Sequence, residues 1–350
     1  MEKDKVTVCV ALFNNQNTIE RCLNSVINQE YKNIEILVVD DGSTDESENV
    51  IRHFFDGRIS IVKQENSGLS SVRQKGLELA HGKYICFIDG DDYLDSKYVQ
   101  SLYEAIEENG SDVCICGTTV ITESGEIIED ETNALSFNSF EIVSVTKEDL
   151  KDRFCKLLEQ CLMSDSWNKL YSRSFLLEHD LRFELQKGFN GTDLIFNHKV
   201  LLNEPKIAMI NERLYFHVLY KKSATHRKNK RLLNSMLIAM EQIINESKKN
   251  GLDTLIRNQL SNLYYLLVRN SLQDLFFECR GKKRDFIAFL KEIYPSLDEF
   301  NLRHGPFRLE DSISKSLKIF ASLLSKKRLT TVYLYCLLCS TRERNIVIGH

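Results

Sequence analysis

Short apolar runs alternate with helical segments through the first third of the chain. Val6 to Leu12, Ile34 to Val39, Ile59 to Val62 and Tyr84 to Ile88 are short, mostly apolar runs with the pattern of strands, the last of them read as buried. Asn17-Thr18-Ile19-Glu20 opens a helix with the spacing of a capping box. A second helix is predicted through about Phe55, and a third from Ser70 to Ala80, ended by Gly82. Asp112 to Val120 predicts a fifth strand, followed by an irregular region to about residue 145. A β-α-β-α-β-α-β series of this kind builds a mainly parallel sheet with helices on both faces, an α/β fold. Beyond it, Thr146 to Cys161 has helical periodicity, Phe189 to Phe196 begins a helix with Asp193 near its start, and Ala208 to Leu219 is strand material. After about Arg231 the pattern is helical nearly throughout.

Two of the predicted strands run straight into carboxylates. Tyr84-Ile85-Cys86-Phe87-Ile88 is followed by Asp89, Gly90, Asp91 and Asp92, three acids in four positions. Packing gives no reason to crowd them, because like charges repel and each resists desolvation. A divalent cation removes the difficulty, since hard ions such as Mg²⁺ take carboxylate oxygens and leave positions open for substrate phosphates. Asp89-Gly90-Asp91 therefore reads as an Asp-x-Asp clamp for a nucleotide diphosphate. The competing reading is a solvated acidic turn, with Asp95 or Ser96 capping the next helix. The strand before it in the acidic series ends in Asp40-Asp41-Gly42-Ser43-Thr44-Asp45. Both clusters then fall on the edge of a parallel sheet where ligands of open α/β folds bind. The loops carry neither a Gly-x-Gly-x-x-Gly fingerprint nor a phosphate-binding Gly-Lys-Ser/Thr loop, and they lack the spacing of a helix-loop-helix calcium site.

Asn14, Gln29, the Asp40 to Asp45 cluster, Asn66-x-Gly68, Arg73, Gly82 and Phe87 to Asp92, in that order between strands and helices, resemble glycosyltransferase family 2. Members of this family are inverting enzymes with the GT-A fold. The resemblance is strong over about residues 5 to 125 and continues weakly to about 227. It implies a GT-A catalytic domain over residues 1–230, with a nucleotide-sugar half to about 125 and an acceptor half over about 126–230, then a helical region over 231–350. It further implies transfer of a hexosyl or N-acetylhexosaminyl group from a nucleotide-sugar, most naturally a UDP-sugar, to a hydroxyl of a growing surface glycan, free or lipid-linked. Mn²⁺ or Mg²⁺ would be the cofactor, with Asp91 as direct ligand and Asp89 on the ribose or completing the clamp beside Gly90. Asp92 would support the clamp or cap a helix. Asp40 and Asp41 would accept the uracil N–H, and Phe13, Asn14, Asn66 and Arg73 would frame the nucleotide, with a structural ion pair as the other reading of Arg73.

Asp193 is implied as the catalytic base, although a carboxylate favoured by the helix dipole is the alternative, and Asp165 is the next candidate. Trp167, the only tryptophan, either stacks on an acceptor sugar or sits in the core. Lys222 and Ser223 resemble a phosphate-contacting segment, with His226 as a metal or phosphate contact, against a solvated basic turn. The chain departs from the family in three places. Ala11-Leu12-Phe13-Asn14 replaces Pro-x-Tyr-Asn, Val72-Arg73-Gln74 replaces Ala-Arg-Asn, and Thr192-Asp193 lacks the usual glutamate.

Composition adds compartment and partners. A chain of 350 residues, 43% apolar and 27% charged, can bury a full core. The charged opening Met1 to Lys5 leads directly into a strand, so no signal peptide is expected, and no run approaches the roughly 18 apolar residues of a membrane span. A cytoplasmic enzyme follows as the expectation, peripheral at most to the inner face of the membrane. Cys9, Cys86, Cys114 and Cys116 fall inside predicted strands, where reduced, packed thiols are expected; Cys336-x-x-Cys339 lacks the partners of a zinc site. Residues 231–350 carry 19 Lys and Arg against 12 Asp and Glu, while residues 1–230 carry 27 against 38. The basic C-terminal region suggests an anionic neighbour such as a membrane surface, and nothing resembles a nucleic-acid reader. Ile313, Leu317, Phe320 and Leu324 at helical spacing, beside several lysines, fit either an amphipathic helix on anionic lipid or packing against protein. Two other functions compete. A nucleotidyltransferase would bring a Gly-rich basic loop near the N-terminus, absent here, and a catalytically silent glycan- or partner-binding protein would fit the missing glutamate.

Overall fold

The computed structural model describes residues 4–128, 141–146, 165–185, 191–220, 231–279, 281–305, 307, 309 and 315–347. The chain divides into two compact units, Met1–Lys221 and Lys222–His350. In the first, β1 (Val6–Leu12), α1 (Ile19–Ile27), β2 (Ile34–Asp40), α2 (Ser47–Arg52), β3 (Ile59–Lys63), α3 (Leu69–Leu79) and β4 (Tyr84–Asp89) follow the predicted alternation. β1 is buried along its whole length, with β2 and β4 parallel to it on either side and β3 parallel beyond β2. The apolar sides of these strands pack against Ile19, Leu23 and Val26 of α1.

The expected capping box does not form. Thr18 precedes α1 without a side-chain cap, and its hydroxyl donates instead to the Gly90 carbonyl at 2.9 Å. The bond ties the start of α1 to the acidic loop after β4.

The second half departs from a simple parallel series. It comprises β5 (Tyr93–Leu94), α4 (Tyr98–Asn109), β6 (Val113–Thr122), β7 (Ile127–Ile128), β8 (Glu141–Ser144), β9 (Lys169–Ser172), α5 (Arg173–Glu178), α6 (Thr192–Leu202) and β10 (Lys206–Leu219). The sheet order is β3-β2-β1-β4-β9-β6-β10-β5. β9 lies antiparallel between β4 and β6, so the fifth predicted strand is not a direct neighbour of β4. β9 is four residues long and buried on every side chain, too short and mixed in composition to show a strand period. β10 runs parallel to β6 and receives β5 antiparallel, with Tyr93 opposite Phe216. The helix predicted from Thr146 lies almost wholly outside the described residues.

The second unit is helical: α7 (Arg231–Lys249), α8 (Arg257–Glu278), α9 (Lys283–His304), α10 (Lys315–Ser325) and α11 (Leu329–Val347). Leu317, Phe320 and Leu324 of α10 are buried inside it, Phe320 against Tyr335 of α11. The apolar stripe of α10 therefore packs on protein rather than facing outward; Ile313 lies outside the described residues. Among the described residues no helix is long and apolar enough to cross a membrane, and Cys9, Cys86, Cys114 and Cys116 are buried free thiols.

Candidate active site

Strand register brings the two acidic clusters together. Leu12 of β1 is level with Asp40 of β2 on one side, and Ala11 is level with Asp89 of β4 on the other. The chain leaves β1 toward β2 and β3, then returns across it to β4, which creates a crevice at the carboxyl ends of these strands. Gly90 keeps that crevice tight. Its N–H donates to the Ala11 carbonyl at 2.9 Å, and a Cβ at this position would lie 2.8 Å from the same oxygen.

The loop after β2 is built by its own side chains. Asp40 is buried; its Oδ1 accepts from the Ser43 N–H at 2.8 Å, while its Oδ2 accepts no hydrogen bond and lies 3.6 Å from Lys63 Nζ. Asp41 accepts from Ser67 N–H and Gln64 Nε2 on one oxygen and from Gly68 N–H on the other, each at 2.8 Å. Asp41 thus stitches the loop preceding α3 to the sheet edge. Asn14 sits at φ +53°, a left-handed conformation that asparagine tolerates. From there its Oδ1 accepts from Thr44 N–H, and its own N–H donates to Ser43 Oγ. Gly42, at φ +76°, backs onto Asn66, whose backbone nitrogen would be 3.1 Å from an added Cβ. Phe13 is 46% exposed at the lip of the crevice.

Arg73 of α3 joins the two halves. Its Nη1 donates to both oxygens of Asp193 at 2.5 and 2.6 Å, and its Nη2 donates to Asp89 Oδ1 at 2.9 Å. Burial alone would lower the Arg73 pKa, but Asp193 and Asp89 outweigh it and raise it. Asp193 occupies the first turn of α6, where it also accepts from Ser166 N–H at 3.1 Å. Both readings of Arg73 and of Asp193 thus meet in one buried ion-paired cluster.

The three acids after β4 have separate surroundings. Asp89 is raised by burial and by Asp92, with Arg73 opposing. Asp91 is pushed up to about 7 by burial and by its neighbours Asp92 and Asp89. Its carbonyl accepts from Arg21 Nη2 at 2.6 Å, yet no hydrogen bond from another described residue reaches its carboxylate. Asp92 is fully buried and fully used. It accepts from Tyr215 Oη at 2.7 Å, His217 Nδ1 at 3.2 Å and Val218 N–H at 2.8 Å, so β10 rather than a helix start is what it holds. Burial would lower the His217 pKa, but the bond to Asp92 and the surrounding acids carry it up to about 9.

Trp167 is half-buried beside this group, near parallel to Tyr215 at 4.8 Å and to His217 at 5.4 Å between ring centroids. Its position is fixed from behind. Asn168, at φ +57°, donates to the Cys116 carbonyl, and buried Lys169 donates to the Asp165 carbonyl at 2.7 Å and to Asn168 Oδ1 at 2.8 Å. Tyr215, His217, Arg21 and Tyr220, whose hydroxyl accepts from Arg21 Nη2 at 2.8 Å, were not singled out by the sequence; alternation of Leu214 to Val218 along a strand gives no hint of the acid that Tyr215 and His217 meet. Lys222, Ser223 and His226 lie outside the described residues. Among the described residues no three His, Cys, Asp or Glu side chains already converge as a metal cage.

Known proteins share this architecture. Residues 7–178 match the family described as Glycosyl transferase family 2. Glycosyltransferase GlyA of Streptococcus pneumoniae is 34% identical over 251 residues, 69% of this chain, which spans only 34% of GlyA. EpsH of Bacillus subtilis is 31% identical over 246 residues, 69% of this chain and 68% of EpsH. The crystal structure of S. aureus TarS 1–349 in complex with UDP-GlcNAc aligns over 97% of this chain and 92% of that one, with a TM-score of 0.64 at 16% identity. That likeness establishes the fold as GT-A, and with the motif order and the sequence relatives it follows that the chain belongs to glycosyltransferase family 2.

Proposed function

We propose that this chain transfers a sugar from a UDP-sugar to a hydroxyl of a growing cell-surface glycan, with inversion at the anomeric carbon and with a divalent metal ion. The observation that supports it most is the Arg73 bridge, which ties a carboxylate of the nucleotide-side strand edge, Asp89, to a carboxylate from the far half of the domain, Asp193. The TarS neighbour, whose structure holds UDP-GlcNAc, supports the donor class.

The residues fit a metal. Asp91 presents a carboxylate that no other described residue donates to, destabilised in its charged form by burial and two adjacent acids, and a cation would relieve that repulsion. Asp91 and Asp89 would hold Mn²⁺ or Mg²⁺, with His226 as a further ligand, and the ion would supply charge stabilisation at the leaving diphosphate. Asp40, which keeps one oxygen free of hydrogen bonds, would accept the uracil N–H, while Asp41 fixes the loop beneath it. Trp167 would stack on the acceptor sugar, Asp193 would take the proton of the acceptor hydroxyl, and Lys222 and Ser223 would meet the diphosphate. The domain boundary near residue 230 and a cytoplasmic location belong to the same proposal. A peripheral membrane contact would have to use the outward side of the second unit, where Ile319 is exposed next to Lys315, because the α10 stripe is buried.

One observation favours a second reading. Both oxygens of Asp193 are engaged by Arg73, as suits a silent binding protein in which that pair is purely structural. Incubation with Mn²⁺ and a panel of nucleotide-sugars, with release of UDP as the readout and chelation as the control, separates the two. Release that requires both metal and acceptor supports transfer; tight UDP binding without turnover supports the silent protein.

A further inference from the structure

The polar edge of the aromatic wall has no assigned role. His217 sits two residues after Tyr215 on β10, so both side chains project to one side of the strand, where Asp92 accepts from each. A carboxylate acceptor fixes the proton on Nδ1 and orients the ring, which leaves Nε2 pointing away from Asp92. Among the described residues Nε2 has no hydrogen-bond partner, and the side chain is 26% exposed. The imidazole and the Trp167 indole are within 8° of parallel but 5.4 Å apart at their centroids. That separation is an offset stack, in which the two rings overlap only in part. An apolar ring face beside an outward N–H is the chemistry that receives a sugar: the face takes the C–H side and the donor takes a hydroxyl oxygen.

We propose that His217 is a specificity-determining residue on the acceptor side, donating from Nε2 to an oxygen of the glycan seated at Trp167, with Asp92 as its positioning residue. This rests on the transferase reading above and adds a recognition contact to it.

Two near-isosteric variants separate the two nitrogens. His217→Asn keeps a donor where Nδ1 meets Asp92 and removes the outward one; His217→Gln reaches to the Nε2 position. Trp167, the only tryptophan, reports binding by its own fluorescence. With UDP and Mn²⁺ present, methyl β-glycosides of glucose, galactose and N-acetylglucosamine are titrated against the parent and both variants. His217→Asn should weaken the best glycoside about tenfold, and His217→Gln should return it to within about threefold of the parent, the range of one ordinary hydrogen bond. UDP affinity by calorimetry should stay within about twofold in both, since the donor side is untouched. Equal glycoside affinity in His217→Asn and parent overturns the proposal, as does a parallel loss of UDP affinity or a parent with no saturable glycoside response. Failure of the parent to bind UDP at all would count against the transferase reading instead, and calorimetry shows it separately.

Discussion

Replacing Arg73 by methionine tests whether the bridge seen between the two halves of the first unit operates in solution. Methionine keeps most of the buried volume and removes the charge. Arg73 is almost completely buried, and Asp193 and Asp89 are only 14% and 23% exposed, so water cannot fully replace the lost guanidinium. Removing one partner of a buried pair typically costs about 3–5 kcal/mol, because the remaining charge is left uncompensated. Here two carboxylates lose their partner together, so the upper half of that range is expected at pH 8. The deficit should shrink on acidification. Asp89 is already raised above its ordinary value, and Arg73 is the group that opposes the rise, so the variant's Asp89 titrates higher still. A carboxylate whose folded pKa exceeds its unfolded one has its stability fully present below the unfolded value and loses it as pH climbs through the folded value. The gap between variant and parent is therefore widest above that window and narrows below it. Asp193→Asn added to Arg73→Met should recover part of the loss, since one of the two stranded charges is gone. Urea unfolding followed by Trp167 fluorescence reads the first unit alone. An Arg73→Met protein within about 1 kcal/mol of the parent at pH 8, with an unchanged denaturant slope, would refute the reasoning.

Three further expectations can be checked. Asp91→Asn should stabilise the metal-free protein at pH 8 by about 1–2 kcal/mol in urea unfolding, a discounted share of the upward push on this partly exposed acid; the gain should fade as pH falls from about 7 toward the ordinary carboxylate range. The same change should weaken Mn²⁺-dependent UDP binding in calorimetry, and equal affinity would remove Asp91 from the metal. Asp193→Asn should keep UDP affinity within a few-fold of the parent while transfer falls roughly 10²–10⁴, the contribution of a positioned base, and transfer at the parental rate would move the base to Asp165. Leu317→Asp should unfold the second unit by placing a charge in its core at a cost above about 3 kcal/mol, whereas Ile319→Asp should leave melting unchanged and reduce binding to anionic vesicles if that outward side meets a membrane.

What could be read from the sequence was local. Each strand from β1 to β4 is a short, mostly apolar run ending in acids or a turn, and parallel order then dictates that Asp40 and Asp89 share an edge. The elements that were not legible depend on partners far along the chain. Asn17 and Glu20 have the spacing of a capping box, yet Thr18 is the residue that precedes α1, and its hydroxyl bonds to Gly90, 72 residues away. β9 is a strand because β4 and β6 flank it, not because Lys169 to Ser172 alternate. The α10 stripe was amphipathic in either reading, and periodicity says that a face is buried without saying against what. Arg73 and Asp193 were each picked out, but a separation of 120 residues hid the fact that they are one feature.

The same long-range pairing sorts the acids by what each is able to do. Asp92 is saturated by three donors of β10 and cannot exchange partners without disturbing the Trp167 wall. Asp41 is saturated by the loop before α3. Asp89 and Asp193 share one guanidinium, so a ligand that draws Arg73 away from either changes the surroundings of both. Asp91 has a carboxylate that no other described residue donates to and is raised by burial and the neighbouring acids, while its backbone is pinned by Arg21. A fixed backbone carrying an unsatisfied carboxylate is the arrangement in which a bound cation gains most, because nothing in the protein has to be broken to admit it. The order of the acids in the motif therefore matters less than their partners: β10 holds the Asp92 carboxylate, Arg73 of α3 the Asp89 carboxylate and Arg21 of α1 only the Asp91 backbone.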